Sequence, residues 1–318
     1  MFKVFKKTAI LCSVFIACVG SIHAQEGMEP LPAHELSIGA SFGLADIWGD
    51  VGTSSFTDHY NNGLYFRNTH YMGGLFLRYS LLPAVSARLA INTGTVYVTD
   101  EFNHKLASKS DDPYSLPNLL YLRNQDAKTN ITEGLLQLEI SPLRLFPRSQ
   151  LSRWNFQPIL MVGLGIFHFN PKTTYKNADG DVNWVETHSL HLEGEGMSYT
   201  GAPKGYKLTQ MAIPFGGGFR YEISPAVAVG FEYLVRFTFT DYLDGVSDRY
   251  VDPAVFQQYL NNADAVVATQ VYNKTNQLDP TLTHPKGDIR GTPKHNDAYS
   301  TLGFNLTIRF PKRPPSIY

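Results

Sequence analysis

Apolar and polar residues alternate along eight segments of this chain. In the last of them, Tyr299 to Phe310, the residues Leu302, Phe304 and Leu306 alternate with small or polar ones. Successive side chains of a strand point to opposite faces, so this period of two predicts strands with one apolar and one polar face. The eight predicted strands are 35–44, 71–81, 85–97, 130–140, 156–169, 209–222, 227–239 and 299–310. The fifth is apolar on both faces, and its periodicity does not orient it.

The connections between the predicted strands alternate in length. Those after the second and sixth strands are a few residues, the one after the fourth is intermediate, and those after the odd-numbered strands are long. Outer-membrane barrels have short periplasmic turns, long extracellular loops and an even number of strands. The prediction is therefore an all-β fold: an eight-stranded antiparallel transmembrane β-barrel with long extracellular loops and short periplasmic turns. A soluble β-sandwich is the alternative, since its strands alternate too.

Aromatic residues lie near the ends of the predicted strands, which predicts two girdles at the membrane surfaces. The predicted girdle at the long-loop end contains Tyr97, Phe167, Phe169, Phe237, Phe239 and Tyr299. The predicted girdle at the short-turn end contains Tyr79, Trp154, Phe156, Tyr221 and Phe310.

The amino terminus has the pattern of an export signal. Three lysines precede an apolar run from Thr8 to Gly20, which is too short to span a bilayer, and Ala24 is a suitable cleavage site. Both cysteines, Cys12 and Cys18, lie in this segment, so the exported chain is predicted to contain no thiol. We predict a signal peptide at 1–24, a periplasmic segment at 25–34, the barrel at 35–310 and a basic periplasmic tail at 311–318.

Charge and hydropathy limit the partners. The formal net charge is −1, and loss of the signal lysines makes the exported chain more negative, so nucleic acid is not a predicted partner. No later segment approaches the ~20 apolar residues of a spanning helix. The predicted location is the cell outer membrane, reached through strands, with outer-membrane lipid as a partner.

Several charged residues fall on the polar phase of the strands and are predicted to face the lumen. An eight-stranded barrel is just wide enough to be filled by its own side chains, and buried charges need partners, so arginine–carboxylate pairing across the lumen is predicted. The pairs would form a rigidifying plug, or alternatively an ion path or gate. The residues are Arg78, Arg88, Glu133, Glu139, Arg220, Glu232 and Arg236.

The loops contain one predicted helix, Ala254 to Leu260, which Asp252 caps and Pro253 begins. It would cover the barrel mouth, dock a partner or pack its loop against itself. Residues 177–183 alternate oxygen-bearing side chains around a glycine but miss the EF-hand spacing, so an ordinary turn is predicted.

Two further loop groups carry metal-ligating side chains. His188, His191, Glu193 and Glu195 are interpreted as a solvated loop. Asp241, Asp244, Asp248 and Asp252 are interpreted as turn caps, with a weak divalent-cation site as the alternative. Neither a metal nor a cofactor is predicted. The chain has no Gly-x-Ser-x-Gly elbow, and its histidines lie mostly in loops, so no enzymatic activity is predicted.

Four stretches together resemble a known family: 163–172 (GLGIFHFNPK), 192–196 (LEGEG), 213–218 (IPFGGG) and 237–247 (FTFTDYLDGVS). They are similar to the outer-membrane β-barrel family of Bacteroidota-type bacteria that includes PorG, a component of the type IX secretion system. The resemblance implies an outer-membrane location, no enzymatic activity and, for the PorG branch, a link to the periplasmic ring of the secretion machine.

The predicted function is a non-enzymatic assembly or anchoring component of a type IX secretion or gliding system. Its predicted contact with periplasmic secretion-ring proteins is formed by Arg144, Arg148 and Arg153. These arginines lie in the turn between the fourth and fifth strands, and Lys312 and Arg313 follow in the tail. Contact with anionic lipid headgroups is an equal alternative for these cations. The rival function is a small channel or ligand-binding outer-membrane barrel.

Overall fold

A computed structural model describes residues 34–53, 55–177 and 179–310. The predicted signal peptide, the predicted periplasmic segment apart from His34, and the tail containing Lys312 and Arg313 lie outside the described residues. The strands are β1 (Leu36–Trp48), β2 (His70–Leu82), β3 (Val85–Thr99), β4 (Asp126–Ile140), β5 (Phe156–Lys176), β6 (Val182–Glu186), β7 (Thr209–Glu222), β8 (Val227–Thr238) and β9 (Ala298–Arg309).

Eight of these strands form a closed antiparallel barrel. Each strand from β1 to β5 pairs with the next, β5 pairs with β7, and β7 to β9 continue the sheet. Pairing of β9 with β1, in which Phe42 lies opposite Phe304, closes it. The predicted fold class is therefore confirmed.

The structure adds one strand that the alternation did not predict. The short strand β6 pairs with the last residues of β5, beyond the part of β5 that pairs with β7. This β5–β6 hairpin extends the barrel wall on the long-loop side. The structure also orients β5: Leu160 and Leu164 point outward, whereas Ile159 and Met161 point into the lumen.

The outer surface of the barrel wall is apolar. Its side chains come from every strand of the barrel and remain exposed in the isolated chain, with Phe304 the most exposed of them at 69%. Examples from six strands are Phe42, Leu75, Ile91, Leu136, Leu164 and Phe304. Such a surface requires an apolar medium around it.

The helices are short and lie in the long connections. They are α1 (Phe56–Asn61), α2 (Tyr65–Asn68), α3 (His104–Ala107), α4 (Leu116–Arg123), α5 (Ala254–Tyr259), α6 (Asn262–Val271) and α7 (Thr275–Leu278). In the described part of the chain, no helix has the length and apolar character needed to cross a membrane.

The aromatic girdle at the long-loop end is only partly as predicted. Phe237 and Phe239 are exposed on the outer surface, but Phe167, Phe169 and Tyr299 are fully buried inside the barrel mouth. These three rings pack on one another in the core beneath the loops, with centroid separations of 5.4 Å. Their assignment to the girdle was wrong because they occupy the inward phase of β5 and β9.

Candidate functional site

The middle of the lumen is crossed by an ion pair between opposite walls. Arg88 on β3 donates from Nη1 to Oε2 of Glu232 (2.9 Å) and from Nη2 to Oε1 (3.2 Å). Glu232 lies on β8, half-way around the barrel from β3. Two parallel bonds from a guanidinium fix both side chains, so the pair ties the two walls together.

A second network lies nearer the long-loop end and centres on Glu133 of β4. Arg236 on β8 donates to Glu133 from Nη2 at 2.7 Å, and Tyr299 on β9 donates from its hydroxyl at 2.6 Å. Asn92 adds an amide donor at 2.7 Å. The carboxylate of Glu133 is therefore fully compensated although it is buried.

A third network lies near the short-turn end. Glu139 on β4 accepts from Arg220 at 2.5 Å and faces Arg78 at 3.6 Å. Glu222 accepts from Arg144 at 3.2 Å and also from Arg309. Arg309 and Glu222 also lie on the inward phase of their strands, although neither belongs to the predicted lumen set.

All seven residues of the predicted lumen set thus lie inside the barrel. The structure groups them into three networks, and a 3.4 Å pair between Arg88 and Glu139 joins the central network to the one near the short-turn end. The void between Arg88, Glu232 and Arg236 measures about 20 Å³. That is room for about one water molecule, so at this level the lumen is filled by protein.

The three arginines of the periplasmic turn do not share one environment. Arg144 is buried and points toward Glu222, and burial together with the nearby Arg220 lowers the pKa of Arg144 to about 10. Arg148 and Arg153 are exposed. Two apolar side chains of the same turn are exposed beside them in sequence, Leu145 and Phe146. We refer to Leu145, Phe146, Arg148 and Arg153 as the periplasmic patch.

The opposite mouth is closed by the β8–β9 loop. Leu243 and Val246 of this loop are buried in the core at the mouth, and Thr129 of β4 donates to the main-chain oxygen of Leu243 at 2.7 Å. We refer to residues 239–251 as the outer plug. The plug covers the lumen from the long-loop side.

Buried ion pairs fasten the loops around the outer plug. Arg290 donates to Glu193 at 2.6 Å and to the main-chain oxygen of Gly245 at 3.1 Å. Arg123 donates to Asp100 through two bonds of 2.7 and 2.8 Å. Arg290 and Glu193 come from different loops, whereas Asp100 and Arg123 lie near opposite ends of the β3–β4 connection. Neither pair has a periodic signal, so the sequence did not predict them.

The structure corrects the interpretation of 188–195 as a solvated loop. Glu193 and Glu195 are buried, and Glu193 accepts from the main-chain amides of Ser247 and Asp248 in the outer plug. Burial and the neighbouring Glu193 raise the pKa of Glu195 to about 8.

The turn at 177–183 and the helix predicted after Asp252 are both present as local loop structures. Asn177 accepts from the amide of Asp181, as in a turn, and Asp252 accepts from the amide of Ala254 at the start of α5. The predicted helix is present as α5, and its Phe256 is buried in an apolar cluster with α6. The loop therefore packs against itself.

A polar cavity of about 270 Å³ opens among the loops on the same side. Its walls include Tyr97, Tyr121, Asn124 and Gln277, and Lys274 is buried there against Asp126 at 2.5 Å. The cavity has both hydrogen-bond donors and acceptors.

No protein-family model matches this chain, and no curated protein matches it. Among solved structures, it is similar to a major outer membrane protein from Thermus thermophilus, with 10% identity, a TM-score of 0.38 and coverage of 88% of this chain and 100% of that one. It is also similar to Ail, the attachment invasion locus protein of Yersinia pestis, with 8% identity, a TM-score of 0.36 and the same coverage. Neisserial surface protein A matches with 8% identity, a TM-score of 0.35 and coverage of 86% and 97%.

The barrel itself indicates where the chain resides. A closed sheet leaves no unpaired strand edge, its wall is apolar outside and polar inside, and its connections are short at one end and long at the other. In a closed barrel every backbone N–H and C=O group of the wall can form a hydrogen bond to a neighbouring strand, as a membrane interior without water requires. The protein is an outer-membrane β-barrel.

Proposed function

We propose that the protein is a non-enzymatic outer-membrane barrel that anchors or assembles a larger complex through its periplasmic side. The observation that carries the proposal is the periplasmic patch, in which two exposed apolar side chains and two exposed arginines lie in one turn. Apolar anchors with adjacent arginines are typical of protein interfaces. The filled lumen supports a role exerted through surfaces rather than through transport.

The sequence resemblance to the PorG-containing family suggests the partner. It favours a periplasmic ring component of a type IX secretion or gliding system. Under this proposal the barrel holds the ring against the outer membrane, and lipid surrounds the barrel wall.

The test is affinity recovery of the tagged protein from detergent-extracted membranes, with identification of co-purifying proteins. The variant Arg148→Glu/Arg153→Glu changes the two exposed cations and leaves the buried Arg144–Glu222 pair in place. Lys286→Glu/Lys294→Glu makes the same charge change at two exposed residues of the β8–β9 loop. The proposal predicts that only the first variant loses periplasmic partners. Equal recovery by both variants and the wild type would contradict it.

Contact with anionic lipid is the second hypothesis for the patch. If it were correct, Arg148→Glu/Arg153→Glu would reduce the amount of anionic lipid that co-purifies with the detergent-extracted protein and would leave partner recovery unchanged. A Phe146→Ser variant distinguishes the two further, because an exposed aromatic anchor contributes to a protein interface independently of charge.

A ligand-binding barrel is the second candidate function, and the polar cavity near Lys274 favours it. A cavity of this size and lining suits a small polar molecule rather than an apolar one. Screening a panel of soluble sugars by tryptophan fluorescence would test it, since Trp184 packs edge-on against Tyr97 of the cavity wall. Absence of saturable quenching in the whole panel would remove this candidate.

A further inference from the structure

Two polar side chains lie on the outer face of the barrel where β1 pairs with β9. Asp46 and Ser300 are opposite one another in this pair, two residues beyond Leu44 and Leu302. Because every second residue of a strand lies on the same face, Asp46 and Ser300 share the outward face with these leucines. Both are nevertheless buried, with 5% and 1% of their surfaces exposed. A segment outside the barrel wall therefore covers them.

The cover comes from the β1–β2 loop. His59 in α1 contacts both carboxylate oxygens of Asp46 through Nε2, at 2.9 and 3.1 Å, and the hydroxyl of Tyr60 donates to Asp46 at 3.1 Å. The buried carboxylate thus receives hydrogen bonds from outside the barrel wall. We refer to residues 55–68, which contain α1 and α2, as the seam clip.

Aromatic contacts hold the seam clip against the wall. The ring of His59 lies 4.7 Å from the ring of Trp48 at the end of β1 and 5.7 Å from the ring of Phe102. The indole of Trp48 also donates to the hydroxyl of Ser300 on β9 at 3.4 Å. The clip is therefore fixed to the two strands whose pairing closes the barrel.

The seam clip extends down to a level at which the wall is apolar. Tyr60 lies within electrostatic range of Tyr233 on β8. Tyr233 lies opposite Leu302 in the register of β8 with β9, and these two side chains are exposed on the outer surface. The clip consequently lies beside the upper edge of the surface that lipid surrounds.

The exposed end of the seam clip carries an aromatic ring next to a cation. Phe66 in α2 is 78% exposed, and Arg67 follows it and is exposed too. One residue separates α2 from β2, where Tyr71 stacks on Phe42 of the outer wall at 5.5 Å. Aromatic rings prefer the membrane–water interface, and cations there contact anionic headgroups. The composition of α2 therefore matches that interface.

We propose that the seam clip lies in the outer interface of the membrane, where Phe66 contacts outer-leaflet lipid and α1 separates lipid from Asp46 and Ser300. Lipid is the occupant because the clip continues the lipid-facing surface formed by Tyr233, Leu302 and the stacked ring of Tyr71. A carboxylate and a hydroxyl next to acyl chains would be costly without hydrogen-bond partners. The clip supplies these partners and allows the polar end of the β1–β9 pair to lie beside lipid.

The test is site-specific photo-crosslinking of the full protein in the outer membrane of intact cells. Phe66→p-benzoylphenylalanine places a group at position 66 that reacts on irradiation with neighbouring C–H bonds, including those of acyl chains. Tyr114→p-benzoylphenylalanine is the matched control, because Tyr114 is 80% exposed on the β3–β4 loop. Mass spectrometry of the purified protein should find roughly fivefold more lipid adduct at position 66 than at position 114.

A second variant tests whether the buried contacts position the clip. His59→Ala removes both contacts of the imidazole with Asp46 and should lower the lipid adduct at position 66 by roughly threefold, whereas His295→Ala, at an exposed histidine of the β8–β9 loop, should not change it. The crosslink at position 66 in the protein with His59 intact decides the proposal if His59→Ala does not fold.

Three results would overturn the proposal. The first is an equal yield of lipid adduct at positions 66 and 114, which would place Phe66 in solvent. The second is a crosslink from position 66 to another protein or to a second copy of this chain in place of lipid. The third is a folded His59→Ala variant whose lipid adduct equals that of His295→Ala.

Discussion

Arg88 and Glu232 join opposite walls of the barrel through two hydrogen bonds, with three strands between them on either side. Each side chain reaches inward from a strand half-way around the barrel from the other. The pair is buried, and it lies between the network around Glu133 and the one at the short-turn end. At the level of Arg88 the void in the lumen is about 20 Å³, so protein side chains fill the barrel there.

The first prediction concerns the energy of this bridge. Arg88→Met leaves the carboxylate of Glu232 buried without its cation and should lower the free energy of unfolding by about 3–5 kcal/mol. The double variant Arg88→Met/Glu232→Leu should regain most of that loss, because no unpaired charge remains. Urea unfolding of the refolded barrel in lipid vesicles measures both values.

A matched control for the bridge is available on the protein surface. Lys172, which is half-buried, and Glu186, which is exposed, form a pair at 3.4 Å, and Lys172→Met should cost less than about 1 kcal/mol. If the double variant at Arg88 and Glu232 is less stable than either single variant, the loss in Arg88→Met does not come from an unpaired buried charge.

The second prediction concerns conductance. The wild-type barrel should show no stable conducting state in a planar bilayer, because the void beside Arg88 holds about one water and the outer plug covers the mouth. Arg88→Ala/Glu232→Ala removes the central bridge and should produce measurable ion current. Stable current steps from the wild type would instead support the channel hypothesis.

The third prediction concerns the attachment of the outer plug. Arg290→Ala removes the cation that Glu193 faces and one donor to the plug, and should weaken the local structure by roughly 3 kcal/mol. Limited proteolysis of proteoliposomes should then cleave residues 239–297 at least tenfold faster. Arg249→Ala is the control, because the Arg249 side chain in the same loop is 58% exposed. Equal cleavage of the two variants would show that the ion pair does not hold the plug.

The fourth prediction concerns the pH dependence of stability. Burial raises the pKa of Asp241 from 3.8 to about 8 in the folded protein, so the folded state holds this proton more tightly than the unfolded state. Its stabilising contribution is complete below about pH 4 and is lost as the pH rises through about 8. The melting temperature should therefore fall between about pH 5 and pH 8.5.

Asp241→Asn should reduce this fall, because an amide does not titrate. A melting temperature that stays constant or increases over this range would show that the Asp241 carboxylate is charged and compensated in the folded protein.

The barrel was predictable from sequence because a strand repeats every two residues. That period fixed which side of each strand carries Arg78, Arg88 and Glu139, and it located the strand ends to within a few residues for most strands. The sequence did not show which face of β5 points into the lumen, because both of its faces are apolar. The register of β5 with β4, in which Leu164 lies opposite Leu136, shows which face points inward.

The loop architecture was not predictable in the same way. The pairing of Arg290 with Glu193 joins residues from different loops, and no local pattern encodes it. Phe167 and Tyr299 illustrate a related difficulty, because an aromatic residue near a strand end suits both a membrane girdle and a buried mouth. The short β6 lacks enough alternation to distinguish it from a turn.

Spin labels on the outer surface of the barrel test most directly whether lipid surrounds the barrel wall. The mature chain is predicted to have no cysteine, so single nitroxide labels can be placed by Phe304→Cys and Leu136→Cys on opposite strands of the wall, with Tyr114→Cys on an exposed loop as the control. In reconstituted membranes, lipid around the barrel wall should let labels at 304 and 136 collide with oxygen more often than with a water-soluble nickel complex. The label at 114 should collide more often with the nickel complex than with oxygen. Labels at 304 and 136 that the nickel complex reaches as readily as the loop label would contradict an outer-membrane barrel.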